Sequence, residues 1–386
     1  MRKLLYIFIL AALLAGCAAP AVEVAVVDLT QEKTVTETIP ETIAEPVPET
    51  TVPPDPIREL LDGMTLEERV GQLFLARHPQ AGGLEDLERF HLGGYILFAV
   101  DFEGMTPDEI REILGAYQEA SQIPLLIAVD EEGGSVTRVS SFSAFRESAF
   151  RSPRAYFAAG GMEAVLSAEE EKAALLTGLG INVNMGPVAD MALEYGSFMY
   201  SRSLGQDALT TGQFISGTVE VYDRYGLGSV LKHFPGYGGN ADTHTGAAID
   251  LRSLDALEQT DLVPFRAGID AGCGAVMMSH NTVTAFDPEL PASLSPEVHR
   301  YLREELGFEG VIVTDDLVMG AIQTHFTPAE AAVQAVLAGN DMLCCTDYAQ
   351  QYEAVLAAVL DGRIGIDRLN EAVTRVLRWK QALGLI

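Results

Sequence analysis

The sequence predicts an α/β fold, a (β/α)8 barrel of the TIM type, built as a single domain over residues 56–386. Three observations predict it. From residue 57 onward, apolar runs of strand length alternate with longer amphipathic stretches, the pattern of parallel strands joined by crossover helices. Eight such units fit in about 330 residues, more than an open doubly wound sheet usually carries. No GxGxxG or Walker motif opens a helix after the first strand, as a nucleotide-binding sheet would require.

The strands are expected at 71–76 (GQLFLA), 94–98 (GYILF), 125–130 (LLIAVD), 182–187 (NVNMGP), 229–233 (SVLKH), 275–280 (AVMMSH), 311–315 (VIVTD) and 341–344 (DMLC). Each is short and largely apolar, as strands buried on both faces are. Strong helical periodicity lies between them, over 106–119, 208–225 and 254–271 for example. The glycine-containing stops YGLG, AGCG and LAGN precede the fifth, sixth and eighth strands, where a left-handed residue ends a helix. In such a barrel the reacting groups stand at the C-terminal ends of strands, so the polar residues found there carry the functional reading.

Composition narrows the classes of function. The chain of 386 residues is 48% hydrophobic, enough for a large core, and disorder throughout is excluded. Twenty-five Lys+Arg face 55 Asp+Glu, a formal charge of −30 that opposes nucleic acid as a partner. Beyond the N-terminus no apolar run reaches 18 residues, so a polytopic membrane protein is excluded.

The N-terminus reads as an address. Arg2 and Lys3 precede an apolar stretch over 4–14, followed by Leu14-Ala15-Gly16-Cys17, the layout of a signal peptide over residues 1–16. LAGC resembles the bacterial lipobox, which implies lipidation of Cys17 and attachment of the exported protein to a membrane, either the outer face of the cell membrane or a periplasmic or outer-membrane face. Loss of residues 1–16 removes two bases and no acids, leaving 23 against 55, or −32. Residues 17–55 are rich in Pro, Thr and Glu and too poor in periodic apolar residues to pack, so they read as an extended tether. Of the other cysteines, Cys273, Cys344 and Cys345 lie in apolar runs and read as buried thiols.

The strand ends carry a concentrated set of polar residues. The seventh strand ends VIVTDDL, placing Asp315 at the barrel mouth; Asp316 reads equally as a functional acid or as a helix cap. The fifth ends with Lys232 and His233 and runs into a glycine-rich loop closing on Asp242-Thr243-His244. Residues two apart in an extended segment share a side, so Asp242 can orient the His244 imidazole for proton transfer. The third strand leads to Asp130 and Arg138, the fourth to Arg202. Together these donors and acceptors suit hydroxyl groups with an acyl or carboxylate substituent. Glu131 and Glu132 stand beside Asp130, but no histidine lies at ligand spacing and no metal is expected. His280 reads as a packed histidine, and His78, His91, His299 and His325 as ordinary loop or helix-surface residues.

At KHFPGYGGNADTHTG, residues 232–246, the chain resembles glycoside hydrolase family 3 in its β-N-acetylhexosaminidase (NagZ-type) branch, whose signature reads KH(F/I)PG.G(x4)D(S/T)H. DEEGGSVTR, SRSLG, VTDDLVMGAI and AGNDML match further family blocks, and together they span about residues 57–386. The resemblance implies a retaining mechanism in which Asp315 attacks the anomeric carbon and His244, assisted by Asp242, serves as acid and then base. It carries Asp130, Arg138, Arg202, Lys232 and His233 over as sugar-binding positions. Tyr237 stands where many members have His, Thr243 where Ser is commoner, and Gly246-Ala247 replaces a frequent Leu-Pro. The β-glucosidase branch typically lacks this histidine loop and takes its acid/base from a second domain, so the loop favours the hexosaminidase branch and a single catalytic domain.

The expectation is therefore an exported, lipid-anchored exo-β-N-acetylglucosaminidase, monomeric and without metal or organic cofactor. It would act on terminal GlcNAc of glycans or muropeptides such as GlcNAc-MurNAc. Phosphorolysis is an alternative, because a histidine repels phosphate less than a glutamate would. A wall-glycan-binding lipoprotein without turnover is a remote one.

Overall fold

The computed structural model describes residues 55–240, 242–244 and 246–386. The expected signal peptide at 1–16, lipidation at Cys17 and the tether up to residue 54 lie outside the described residues. Among the described residues, no helix is long and apolar enough to cross a membrane.

Eight parallel strands form one sheet: β1 Phe74–Arg77, β2 Gly94–Leu97, β3 Leu126–Val129, β4 Val183–Asn184, β5 Gly228–Phe234, β6 Ala275–Met278, β7 Val311–Thr314 and β8 Leu343–Cys345. They pair in the order β8-β1-β2-β3-β4-β5-β6-β7. A parallel bridge between Val313 and Met342 joins the last strand back to the first in that order and closes the barrel. The predicted fold class therefore holds, with all eight strands at their expected places.

Alternation along each strand divides the core into two layers, as a period of two requires. Leu75, Ile96, Ala128, Val183, Val230, Met277, Val313 and Cys344, one from each strand, fill the barrel interior together with Trp379. Their neighbours Phe74, Ala76, Leu97, Ile127 and Cys345 face the surrounding helices instead. Cys344 and Cys345 thus point to opposite sides of one strand, and with Cys273 they are buried free thiols. The chain's single tryptophan plugs the N-terminal end of the barrel. Gly228 and Gly274, at the starts of β5 and β6, leave room for it, since a Cβ at either would press on the indole.

Three expected elements differ in extent. The first strand, expected over 71–76, runs Phe74–Arg77, because Gly71 still belongs to the helix Leu66–Gly71. The fourth strand was expected over 182–187 but ends at Asn184, because Gly186–Pro187 turns the chain and proline lacks the N–H that a ladder needs. Pairing resumes beyond it, where Ala189 N–H donates to the Lys232 carbonyl at 2.7 Å. The helix expected over 254–271 is two helices, Leu254–Gln259 and Leu262–Asp270, broken at Thr260. Pro264 explains the break, since its ring excludes a helical carbonyl four residues earlier, which is that of Thr260. The helix Ala208–Tyr225 has the expected bounds, capped by Asp207 and ended by Gly226 in the left-handed region.

Candidate active site

A cavity of about 720 Å³ opens at the C-terminal ends of the strands. All eight residues singled out in the sequence line it: Asp130, Arg138, Arg202, Lys232, His233, Asp242, His244 and Asp315. Strand geometry explains the convergence. Asp130 follows β3 directly, Lys232 and His233 sit at the C-terminal end of β5, and Asp315 follows β7 directly.

Glu132 stands at the centre of the cationic side of this cavity. Its carboxylate accepts from Arg202 Nε at 2.8 Å and Nη2 at 2.6 Å, and from Lys232 Nζ at 2.7 Å. Lys232 Nζ also reaches Asp130 Oδ1 at 2.5 Å. Burial alone would protonate Glu132, but Lys232 and Arg202 beside it hold its carboxyl well below the usual range. Burial would likewise discharge Lys232, and Asp130 with Glu132 reverses that and raises it. The network is a buried, mutually charged set whose free edges face the cavity. Neighbouring Glu131 turns away and accepts from the backbone N–H groups of Arg138 (2.7 Å) and Val139 (2.8 Å), so it shapes the loop. Among the described residues no group of three His, Cys, Asp or Glu is arranged to hold a metal.

His233 is fixed by Asp190, a residue the sequence reading did not single out. Asp190 Oδ2 accepts from His233 Nδ1 at 2.7 Å and from its backbone N–H at 3.0 Å, while Oδ1 accepts from Tyr237 N–H at 2.8 Å. With its proton on Nδ1, the ring presents Nε2 on the cavity side, where it accepts from Arg202 Nη2 at 3.4 Å. An acid at the mouth just past the fourth strand was the available signal for Asp190. Two further unassigned residues line the cavity: Phe98 lies under the guanidinium of Arg77 at 4.6 Å and that of Arg138 at 5.5 Å.

Asp315 sits at the floor, partly buried, with Oδ1 accepting from Asp316 N–H at 2.8 Å. Burial pushes its carboxyl up, but His233, His280, that N–H and Lys232 outweigh burial and hold it below the ordinary value. It is an anion at neutral pH. Asp316 differs: its carboxylate accepts from the Thr346 hydroxyl at 2.5 Å and from the N–H groups of Thr346 and Val318 at 3.2 Å. It ties the end of β7 to the end of β8 and caps no helix, the expected cap position being taken by Met319, and it also lines the cavity. Behind it, His280 Nε2 donates to the Asp316 carbonyl at 3.0 Å and Nδ1 faces Ser293 Oγ at 2.7 Å, so His280 is packed, and burial lowers its pKa against the pull of Asp315. His299 corrects the surface reading: it is buried, its Nδ1 bonding the Ser295 carbonyl at 2.8 Å, and burial pushes its pKa down to about 4.

The glycine-rich loop brings Asp242 and His244 to the rim. His244 Nδ1 donates to Asp242 Oδ1 at 2.6 Å, and the same oxygen accepts the His244 N–H at 2.9 Å. The ring is thereby oriented with Nε2 away from the carboxylate, as a proton-transferring histidine needs. Its side chain is 59% exposed, so a substrate could reach it without rearrangement of the core. Taken together, a partly buried anionic carboxylate, an oriented imidazole and a charged wall of donors and acceptors line one cavity. That set can support displacement at an acetal carbon with proton transfer to the leaving oxygen.

Comparison with known proteins agrees with this chemistry. Residues 65–379 match the model of the glycosyl hydrolase family 3 N-terminal domain. A beta-hexosaminidase of Nitrosomonas eutropha is 35% identical over 266 residues, covering 66% of this chain and 74% of its own. The structure of a glycoside hydrolase family 3 β-N-acetylglucosaminidase from a Paenibacillus strain superposes with TM-score 0.77 at 33% identity, over 83% of this chain and 63% of that one. A β-N-acetylhexosaminidase from Beutenbergia cavernae superposes with TM-score 0.73 at 28% identity, over 82% of this chain and 99% of that one. With the barrel, the site at its C-terminal face and these matches in agreement, the chain belongs to glycoside hydrolase family 3, and it is a glycoside hydrolase.

Proposed function

We propose that this chain is a retaining exo-β-N-acetylglucosaminidase. The observation that carries the reading is the pairing, in one cavity, of the anionic Asp315 with the Asp242–His244 dyad. The names of its relatives, beta-hexosaminidase and β-N-acetylglucosaminidase, support the same substrate class.

In this mechanism the terminal GlcNAc enters with its hydroxyls against Asp130, Arg138, Arg202, Lys232 and His233. An Asp315 oxygen attacks the anomeric carbon as the glycosidic C–O bond breaks, and protonated His244 gives its Nε2 proton to the departing oxygen. The neutral imidazole then takes a proton from water, which displaces Asp315 and releases the sugar with its configuration retained. Asp242 keeps the ring oriented through both steps. Every step runs on the chain's own side chains.

The natural substrate we propose is a peptidoglycan fragment such as GlcNAc-MurNAc, met by an exported protein held to a membrane through a lipid on Cys17. The LAGC sequence and the acidic, proline-rich stretch behind it support that placement. The test compares p-nitrophenyl β-GlcNAc with p-nitrophenyl β-glucoside, each with and without phosphate. Release from the GlcNAc substrate alone, unchanged by phosphate, is the expected result. GlcNAc-1-phosphate as the main product in phosphate buffer would make the chain a phosphorylase instead, and binding with ligand recovered intact would make it a non-catalytic binder.

A further inference from the structure

We propose that Tyr237 is a positioning residue for the acid/base dyad, holding Asp242 and His244 in place through a hydrogen bond between its hydroxyl and that of Thr243. The inference rests on the reading of that dyad given above.

Glycines lead into the loop that carries the dyad. Gly236, Gly238 and Gly239 precede it, Gly236 and Gly238 at positive φ, and glycines give the backbone its widest freedom. Asp242 and His244 face the cavity, whereas Thr243 between them is fully buried and supplies the anchor. Its hydroxyl makes a short hydrogen bond with the Tyr237 hydroxyl. Its carbonyl accepts from Ala321 N–H at 3.1 Å, on the segment that follows Asp315. One buried residue therefore ties the dyad both to the element of the nucleophile and to Tyr237.

Tyr237 is itself rigidly held on the sugar side of the cavity. Asp190 accepts its backbone N–H at 2.8 Å, and its ring packs edge-on against His233 with centroids 5.2 Å apart. Phe198 packs on the other side at 5.5 Å and reaches the His244 ring at 6.2 Å. Burial, reinforced by the charge of Asp315, pushes the phenol up, so it stays neutral and keeps the proton that the hydrogen bond needs. Removing the hydroxyl leaves that of Thr243 buried without its partner, a state that favours opening of the loop. The cost falls on proton transfer, because the sugar-binding wall and Asp315 do not depend on Thr243.

The test reads leaving-group dependence of kcat/KM in the full-length chain, since a good leaving group needs no proton and a poor one does. For Tyr237→Phe, hydrolysis of a GlcNAc disaccharide falls roughly three- to tenfold, a neutral hydrogen bond's worth, while 2,4-dinitrophenyl β-GlcNAc holds within about twofold. Thr243→Val removes the other half of the bond and gives the same split, which keeps the test alive if the tyrosine variant does not fold. Thr243→Ser keeps a hydroxyl and restores the disaccharide rate, and the double variant Y237F/T243V is no worse than the worse single. Equal loss on both substrates, or no loss on either, would overturn the positioning role. His244→Ala separates the two levels: a flat leaving-group response there overturns the dyad reading and this inference with it. A steep response there beside a flat one in Y237F overturns the positioning role alone.

Discussion

Replacing Glu132 by Gln keeps the shape of the side chain and removes the charge that holds together the charged wall proposed to bind the sugar. The carboxylate is buried and bonded by Arg202 at 2.6 and 2.8 Å and by Lys232 at 2.7 Å. Without it two buried cations face each other, and breaking a buried pair in this way costs roughly 3–5 kcal/mol. Lys232 keeps Asp130 at 2.5 Å, which places the loss at the lower end, about 3 kcal/mol. At roughly 2 °C per kcal/mol for a domain of this size, Tm falls by about 6 °C. On the proposed function the cations also lose their aim at sugar hydroxyls, and kcat/KM falls by about tenfold or more, one charge-assisted hydrogen bond's worth. The acid limb gives an independent reading. Because the folded carboxyl lies below its unfolded value of 4.5, its stabilisation is complete above that pH and is lost as pH falls below it. The variant's stability therefore approaches that of the unaltered chain as the medium is acidified. Thermal and urea unfolding between pH 3 and pH 7, with kinetics on an aryl GlcNAc substrate, would check this. A Tm within about 1 °C and an unchanged KM would refute the view that Glu132 organises the wall.

Two further predictions come from other parts of the fold. A Cβ at Gly320 would lie 2.8 Å from the His244 carbonyl, so Gly320→Ala displaces the dyad loop. The expected outcome is a kcat/KM loss of up to about 100-fold on poor leaving groups, with melting nearly unchanged, measured by parallel kinetics and calorimetry. His299 has its pKa lowered from 6.5 to about 4 by burial, so the unfolded chain takes up a proton before the folded one does. Its stabilising share is complete above pH 6.5 and declines toward pH 4, by about 2 kcal/mol between pH 7 and pH 5. His299→Gln should flatten that part of the urea-unfolding profile by the same amount.

Much of the fold was legible because barrel strands are buried on both faces and read as short continuous apolar runs, as VIVT and LIAV do. Prolines account for two errors of extent: Pro187 ends the fourth strand early and Pro264 splits the helix expected over 254–271. Within the site, the dyad was legible because Asp242 and His244 lie two residues apart, and Asp315 because acid follows an apolar run. The Glu132 network was not, since Arg202 lies 70 residues along the chain from Glu132 and Lys232 lies 102 from Asp130. Nor was the bond from Asp190 to His233, across 43 residues. Only closure of the barrel brings such partners together. His299 was misread because its burial depends on Gly339, whose missing side chain leaves space against the imidazole.

The central claim is that Asp315 is the nucleophile of a retaining mechanism, and trapping the covalent intermediate tests it most directly. The enzyme would be incubated with a 5-fluoro β-GlcNAc fluoride, which forms the glycosyl-enzyme faster than water removes it, then digested and read by peptide mass spectrometry. The account predicts one fluoro-GlcNAc adduct, on the peptide containing Asp315 and localised to that residue. An adduct on another carboxylate such as Asp130 or Asp242, or continued turnover with inverted product and no adduct, would contradict it.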